Sequence, residues 1–173
     1  MEGDADILAR LDALEAREAI LALKARYWRA VDAGKADIVE DCLIPEVRID
    51  FEGIPPCSDR ESFMATVRAA AGLPGHFHMH HGKNPEISVT GPDSARGRWA
   101  IHYRGIIAEH GMMIQMAGHY DDEYVRRDGR WKISAMRMRQ GSFESQLASP
   151  SGAVSVSSLP GEAGNFDNQM EQQ

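Results

Sequence analysis

The first apolar pattern along the chain has the period of an α-helix. From Asp4 to Ala33, apolar residues recur three and four positions apart, which places them on one face of a helix. Gly34 stands directly after this stretch, in the position where glycine commonly ends a helix. A second, shorter helix is predicted from Asp37 to Leu43, because Pro45 cannot continue it.

The pattern then changes to the period of a β-strand. In EVRIDFEG, residues 46–53, apolar and polar residues alternate, which is typical of a strand with one buried face. After the IPPCS turn, Ser58 and Glu61 have the spacing of a capping box, in which two side chains satisfy backbone amides at a helix start. We therefore predict a third helix that ends at about Ala71.

Strand-like segments follow in succession, and short turns connect them. GPDS, EHG and RDG are turn signals, and the last contains the Asp-Gly pair that is typical of a hairpin. Strands joined in this way favour antiparallel pairing, and helices segregated to one side of such a sheet make an α+β fold. The predicted strands are 77–90, 95–108, 112–126 and 130–140.

A curved antiparallel sheet packed on helices leaves a pocket between its concave face and the long first helix. We assign residues 1–141 to this domain. Residues 142–173 form a C-terminal tail rich in Ser, Gly, Pro, Asn and Gln, which alone cannot bury enough apolar surface to offset its ordering entropy. We expect the tail to pack on the domain or on a neighbouring subunit.

Composition narrows the classes of partner. The net charge is −7 and no basic run occurs, which argues against nucleic acid. No apolar run approaches the ~20 residues that span a bilayer, so we expect no membrane contact. The two cysteines, Cys42 and Cys57, form no C-x-x-C motif, which favours a reducing cytoplasm over a disulfide scaffold.

The candidate chemistry begins with the stretch GHFHMHHGKNPEI, residues 75–87. It holds four of the seven histidines, and His76, His78 and His80 alternate along one face of the predicted strand. A metal site needs three or four converging ligands, so this face could bind a metal only with further ligands from elsewhere. A general base with polar neighbours is the alternative, and the pattern alone leaves both open.

Asp32 and Tyr27 are the candidate partners on the first helix. Asp32 lies in the last turn, where the helix dipole disfavours an anion by roughly 0.3–1 kcal/mol. It is therefore either a solvated carboxylate or one held by a partner such as an imidazole, whose tautomer it would fix. Tyr27 is either a core aromatic residue or a phenol that donates to a substrate oxygen. Because no dinucleotide or nucleoside-triphosphate motif occurs, we expect no such cofactor.

Three segments carry a resemblance to a known family: ALEAREAILALKARYWRAVDAGK, HMHHGKNPEI and GHYDDEYVRRDGRWKIS. Together they resemble the SnoaL-like branch of the nuclear transport factor 2-like superfamily, with bile acid 7α-dehydratases and lindane dehydrochlorinases the most similar members. The resemblance covers residues 7–141. It implies a cone-shaped α+β barrel without a bound cofactor or metal, usually assembled as a homotrimer.

The resemblance also implies roles for individual residues. Asp32 and His80 match the catalytic dyad of the family, with His80 as the base and Asp32 as the residue that orients it. Tyr27 matches a tyrosine of the dehydratases that contacts the reacting oxygen. His78, two residues before His80, is expected to line the same pocket.

Other substrate contacts are expected at positions that the family uses or that would supply an apolar pocket. Both relatives carry a functional arginine on the final strand, but counting from Trp131 gives Met136 and Gln140 there, with Arg137 and Arg139 on the opposite face. A β-bulge in this strand could bring either arginine back to the cavity face. The full set of expected substrate contacts is His78, Trp28, Asp50, Trp99, Met116, Met136 and Gln140.

The predicted function is a cofactor-independent lyase of the dehydratase type. His80, polarised by Asp32, would abstract a proton, and water, or else halide or formaldehyde, would leave a small hydrophobic ring compound. Three alternatives stay open: a metal-dependent enzyme using His76, His78 and His80, an isomerase of the same superfamily, and a non-catalytic ligand-binding or accessory subunit.

Overall fold

The computed structural model describes residues 2–71, 75–148 and 154–160. The long helix, the short helix and the first strand follow the predicted order, and the strands of the meander come last. The elements are α1 (Glu2–Asp32), α2 (Ala36–Asp41), β1 (Leu43–Phe51), α3 (Arg60–Ala71), β2 (His76–Gly91), β3 (Ser94–Ile107), a 3-10 turn (Ala108–His110), β4 (Met112–Arg127), β5 (Arg130–Ala148) and β6 (Val154–Pro160).

The strands form one curved sheet in the order β1-β5-β4-β3-β2, with β6 paired to β5. Strands β2 to β5 make the predicted antiparallel meander. The expectation of an antiparallel sheet throughout is wrong for β1, which runs parallel to β5. No hairpin sets its direction, because the chain leaves β1 through α3 and enters the sheet again at the opposite edge. The α+β class is confirmed, and the sheet is mixed.

The core lies between α1, α3 and one face of the sheet. Val47, Ile49 and Phe51 of β1 are buried there, as their alternation predicts. On α1 the buried residues begin at Ala16, whereas the apolar residues before it are exposed. The first turns of the predicted apolar face therefore extend beyond the sheet, with Ile7, Leu8, Leu11 and Leu14 exposed.

The start of α3 differs from the predicted capping box. Asp59, and not Ser58, caps the helix: one of its carboxylate oxygens accepts a hydrogen bond from the backbone N–H of Ser62 at 2.8 Å. The other accepts from the Ser62 hydroxyl at 2.9 Å. A carboxylate at the N-cap also interacts favourably with the helix dipole, so the cap lies one residue later than predicted.

The boundary at residue 141 does not separate an irregular tail from the sheet. Strand β5 continues to Ala148, and β6 pairs antiparallel with its final part, from Ser142↔Pro160 to Ala148↔Val154. The rest of the predicted tail, 149–153 and 161–173, lies outside the described residues. Within the described part of the chain, no helix is long and apolar enough to cross a membrane.

Asp41 at the end of α2 connects three elements. Its carboxylate accepts hydrogen bonds from Lys132 of β5 at 2.9 Å and from Arg26 of α1 at 2.8 Å. These two cations, Lys132 first, lower the pKa of Asp41 to about 2. Because the folded state holds the carboxylate ionised, this contribution to stability is present above the ordinary pKa of 3.8 and is lost as the pH falls toward 2.

We expect Asp41→Asn to lower the free energy of unfolding by about 1 kcal/mol at pH 7, since the side chain is partly exposed and its ion pairs are screened. The difference from the wild type should shrink as the pH falls from 4 toward 2. Urea unfolding followed by circular dichroism across this range measures both. Asp128→Asn, in the exposed turn where φ is 51°, is the matched control and should leave the free energy of unfolding at pH 7 close to that of the wild type.

Candidate active site

A cavity of about 370 Å³ lies between the sheet, α1 and α3. Its polar groups come from the end of α1 and from β2 and β3, whereas α3 and the remaining strands contribute mainly apolar side chains. The residues that line the cavity include Tyr27, Asp32, His76, His78, His80, Tyr103, Met116, Tyr120 and Met138. An apolar cavity with a few convergent polar groups is the usual form of a small-molecule site.

The position of α1 over β2 follows from the absence of a side chain at Gly82. A Cβ atom there would lie 1.9 Å from Cζ3 of Trp28 and 2.1 Å from its Cη2. The indole ring therefore packs directly on the strand backbone. Asp32 follows Trp28 by about one helical turn, and His80 precedes Gly82 by two residues on the same strand face. This contact brings the carboxylate and the imidazole together.

Asp32 holds His80 at two atoms. Oδ1 of Asp32 lies 2.5 Å from Nδ1 of the His80 ring, and Oδ2 accepts the backbone N–H of His80 at 3.1 Å. An ionised carboxylate can only accept hydrogen bonds, so Nδ1 carries the proton and donates it. Nε2 is then the basic nitrogen. The side chains are mostly buried, with 14% of His80 and 17% of Asp32 exposed.

Tyr103 is a cavity residue that the sequence did not reveal. It lies directly opposite His80 in the β2–β3 pair, with ring centroids 4.9 Å apart, and its hydroxyl lies 2.6 Å from Nδ1 of His78. Burial, more than the neighbouring His80 and His76, lowers the pKa of His78, which favours a neutral ring. His78 lines the cavity as predicted.

Tyr27 and Tyr120 form the deep end of the cavity. Tyr27 is 3% exposed and Tyr120 4%, yet both line the cavity. Burial raises the pKa of each phenol above the ordinary value of 10, so both hydroxyls are protonated at neutral pH. Of the expected apolar contacts, Met116 is present in the lining.

The family model of the SnoaL-like domain matches residues 12–137 of this chain. The chain belongs to the SnoaL-like family. This confirms the resemblance drawn from the sequence, and the matched segment contains every lining residue named above except Met138, which lies one position beyond it.

Individual relatives agree with this assignment. The chain is 27% identical over 127 residues to gamma-hexachlorocyclohexane dehydrochlorinase of Sphingobium indicum, an alignment that covers 73% of this chain and 81% of that protein. The crystal structure of the type 3 hexachlorocyclohexane dehydrochlorinase of Novosphingobium barchaimii superposes with a TM-score of 0.69 at 27% identity, covering 78% of this chain and 92% of the other.

A structure described as a putative scytalone dehydratase from Novosphingobium aromaticivorans superposes equally well, with a TM-score of 0.69. Its sequence identity is 18%, and the match covers 73% of this chain and 85% of that chain. At this identity the likeness concerns the fold alone. The SnoaL-like cone is thus shared by proteins whose sequences have diverged widely.

Several expected substrate contacts lie away from the cavity of this SnoaL-like domain. Trp28 packs on Gly82, and Met136, 1% exposed, accepts a hydrogen bond from Lys24 in the core. Trp99 donates from Nε1 to the Tyr124 hydroxyl at 2.9 Å. Met138, two residues later on the same face of β5, lines the cavity instead of Met136.

Asp50 and Gln140 line a separate groove, outside the cavity. Asp50 binds Arg139 there, with Oδ2 2.6 Å from Nη2, and also Arg137 at 3.4 Å. The hydrogen bonds from Arg139 lower the pKa of Asp50. The irregular pairings of β5 with β4 therefore bring neither arginine into the cavity, and the family's arginine has no counterpart among the lining residues.

The histidines do not converge as metal ligands. Nδ1 of His80 binds Asp32, and Nδ1 of His78 lies against the Tyr103 hydroxyl. Over the described residues, no group of three or more His, Cys, Asp or Glu side chains is placed to hold a metal ion. The geometry favours the acid–base interpretation of the histidine cluster over the metal interpretation.

The contact between Trp28 and Gly82 predicts the effect of an added methyl group. Gly82→Ala should lower the free energy of unfolding by about 2 kcal/mol, because the ring and the strand must separate. Trp28→Leu creates space at this point, so the double variant should lose less than the sum of the two single losses. Urea unfolding of the four proteins in this cycle measures the coupling, and additive losses would contradict the contact.

Proposed function

We propose that this protein is a lyase that needs no cofactor and eliminates water from a small hydrophobic ring compound. The observation that carries the proposal is the Asp32–His80 pair at the edge of an apolar cavity. A carboxylate that fixes the tautomer of a histidine leaves one defined basic nitrogen, which is the arrangement general-base catalysis requires. The dehydrochlorinase relatives support a lyase in the broader sense.

In the first step, Nε2 of His80 takes a proton from a carbon next to an activating group. Nδ1–H of the ring continues to donate to Asp32, so the positive charge formed on the imidazole lies beside a carboxylate at 2.5 Å. This ion pair in a largely buried site stabilises the protonated base. The electron pair of the C–H bond moves into the activating group, and it forms the new C=C bond when the leaving group departs in the second step.

In the second step, a phenol protonates the departing oxygen. Tyr103 is the stronger candidate, because its ring contacts His80 and Nδ1–H of His78 can donate to its oxygen at 2.6 Å. The phenol proton then completes a water molecule, and the C–O bond breaks. His80 afterwards returns its proton to the Tyr103 phenolate, so the site regains its starting state. Tyr27, the tyrosine implied by the family, would contact the substrate oxygen deeper in the cavity.

The nature of the leaving group distinguishes this proposal from its nearest alternative. A dehydrochlorinase releases chloride, a weak base that needs no proton, whereas hydroxide is a poor leaving group that does. Phenol hydroxyls at the cavity favour water, and the names of the relatives favour halide. Elimination of halide is therefore the second candidate, and it would use the same base.

The cavity also bears on the alternatives to a lyase. An open cavity of about 370 Å³ favours a small-molecule enzyme over an accessory subunit. A shift of a double bond, as in an isomerase, would need the same base but no loss of a group. We further propose a cytoplasmic homotrimer.

Asp32→Asn should lower kcat by about 10²- to 10⁴-fold, because the amide supports neither the reactive tautomer nor the imidazolium. The assay offers hydroxylated ring ketones, followed by the ultraviolet absorbance of the new conjugated alkene, and gamma-hexachlorocyclohexane, followed by chloride release. The melting temperature should stay the same or rise, since a buried carboxylate at a helix C-terminus is removed.

Asp37→Asn is the matched control, since it removes an exposed carboxylate from the adjacent helix. It should retain wild-type turnover. Unchanged turnover in Asp32→Asn would refute the orienting role of this residue and, with it, the proposed mechanism.

Tyr103→Phe separates the two leaving groups. If water leaves, kcat on the hydroxylated substrate should fall by about 10²-fold or more, because the departing oxygen loses its proton donor. If chloride leaves, turnover should change little. Tyr27→Phe is the parallel variant: a larger loss there than in Tyr103→Phe would assign the donor role to Tyr27 instead.

A further inference from the structure

A buried ion pair lies next to the cavity, and the proposed elimination does not use it. Nζ of Lys24, on α1, is 2.7 Å from Oδ2 of Asp122, on β4, and both side chains are 0% exposed. Neither residue lines the cavity. Lys24 was not among the residues singled out in the sequence, because a lone lysine in an amphipathic helix normally lies at the surface.

The negative end of this pair points away from the cavity. Oδ2 of Asp122 also accepts the hydroxyl of Tyr124 at 2.6 Å, and the Tyr124 oxygen accepts Nε1–H of Trp99 at 2.9 Å. None of these three residues lines the cavity. The hydrogen bonds hold the carboxylate in place and disperse its charge into the core.

The positive end lies against three aromatic rings, two of which line the cavity. Nζ of Lys24 lies 4.1 Å from the ring centroid of Tyr120, 4.8 Å from Trp28 and 5.3 Å from Tyr27. A cation over an aromatic face at these distances interacts favourably with the ring. Tyr120 and Tyr27 also line the cavity, so a single layer of rings separates the ammonium group from a bound molecule.

A contribution to the stability of the fold does not by itself explain why Lys24 and Asp122 are buried together. Burial lowers the pKa of Lys24 and raises that of Asp122, while the attraction between the two opposes both shifts. Apolar residues of similar volume often replace a buried ion pair at no loss of stability. The lining residues in the described part of the chain include no lysine or arginine, and Arg139 is bound to Asp50 elsewhere. Lys24 therefore places an amino group behind two of the rings that line the cavity.

We infer that Lys24 acts as a positioning residue that makes the cavity favour an oxyanion over its neutral conjugate acid. The inference rests on the proposed function and narrows its substrate class. The substrate would be a cyclic ketone or phenol, whose deprotonation places negative charge on an oxygen conjugated with the ring. The Lys24–Asp122 dipole, acting through Tyr120 and Tyr27, stabilises that charge.

The test uses 4-nitrophenol, because its phenolate absorbs visible light and its phenol does not. Spectrophotometric titration of the probe with the full chain gives the affinities of both forms and hence the pKa of the bound probe. In the wild type the phenolate should bind more tightly than the phenol. Lys24→Met should reduce the ratio of the two affinities by about fivefold, the size expected for a charge beyond one layer of rings that is partly cancelled by its partner.

Lys83→Met removes the same charge from an exposed position on the strand that carries His80, and it should leave the ratio unchanged. Lys24→Met/Asp122→Asn removes both charges and is the variant to use if the single variant fails to fold; its reduction should be smaller than that of Lys24→Met, because the opposing charge of Asp122 is lost as well. A merely structural role would change both affinities together and leave their ratio the same.

Two results would overturn the inference: a wild-type protein that prefers the phenol, or a folded Lys24 variant that keeps the wild-type ratio. The probe is not turned over, so these results do not depend on whether the Asp32–His80 pair is catalytic. If Asp32→Asn kept full turnover while Lys24→Met lost the phenolate preference, the proposed mechanism would fail and the anion site would stand.

Discussion

The packing of Trp28 on Gly82 is the contact on which the site depends. A long helix that crosses a sheet is normally kept about 10 Å from it by side chains on both surfaces. Here the strand offers only a hydrogen atom, and the indole ring fills the space. The helix end therefore approaches closely enough for Asp32 to bind both the ring and the backbone N–H of His80. Any larger residue at 82 would separate the two groups.

The parts of the fold that local pattern determines were predictable. The helical period over α1 and the alternation around Val47, Ile49 and Phe51 predict which side chains are buried. Short turns predict that consecutive strands pair antiparallel. The direction of β1 was not predictable in this way, because its partner β5 lies far along the chain. The same holds for the end of the sheet: the last part of β5, from Ser142 to Ala148, and β6 lie in the segment predicted as a polar tail, but their backbones pair with each other.

The site was predictable to a more limited extent. Asp32, His80 and His78 were identified by resemblance and by the alternation of β2, and the cavity contains all three. Tyr103 was missed because its position opposite His80 depends on the register of two strands, which the spacing of residues does not reveal. Asp50 was expected at the substrate by resemblance, and its pairing with Arg137 and Arg139 could not be read from the sequence. Lys24 was missed because its aromatic neighbours come together only in the folded chain.

His80 and Tyr103 are opposite residues on neighbouring strands, and both project from the same face of the sheet. A flat molecule in the cavity presents one of its two faces to this pair, while its other face meets the mainly apolar side chains of α1 and α3. Under the proposed mechanism, with His80 as the base and Tyr103 as the acid, the hydrogen and the hydroxyl would leave the ring from that same side. The register of β2 and β3 therefore predicts the stereochemistry of the proposed elimination. The elimination would be syn, so a substrate isomer with the hydrogen and the hydroxyl on opposite faces of the ring would bind in the cavity without reacting.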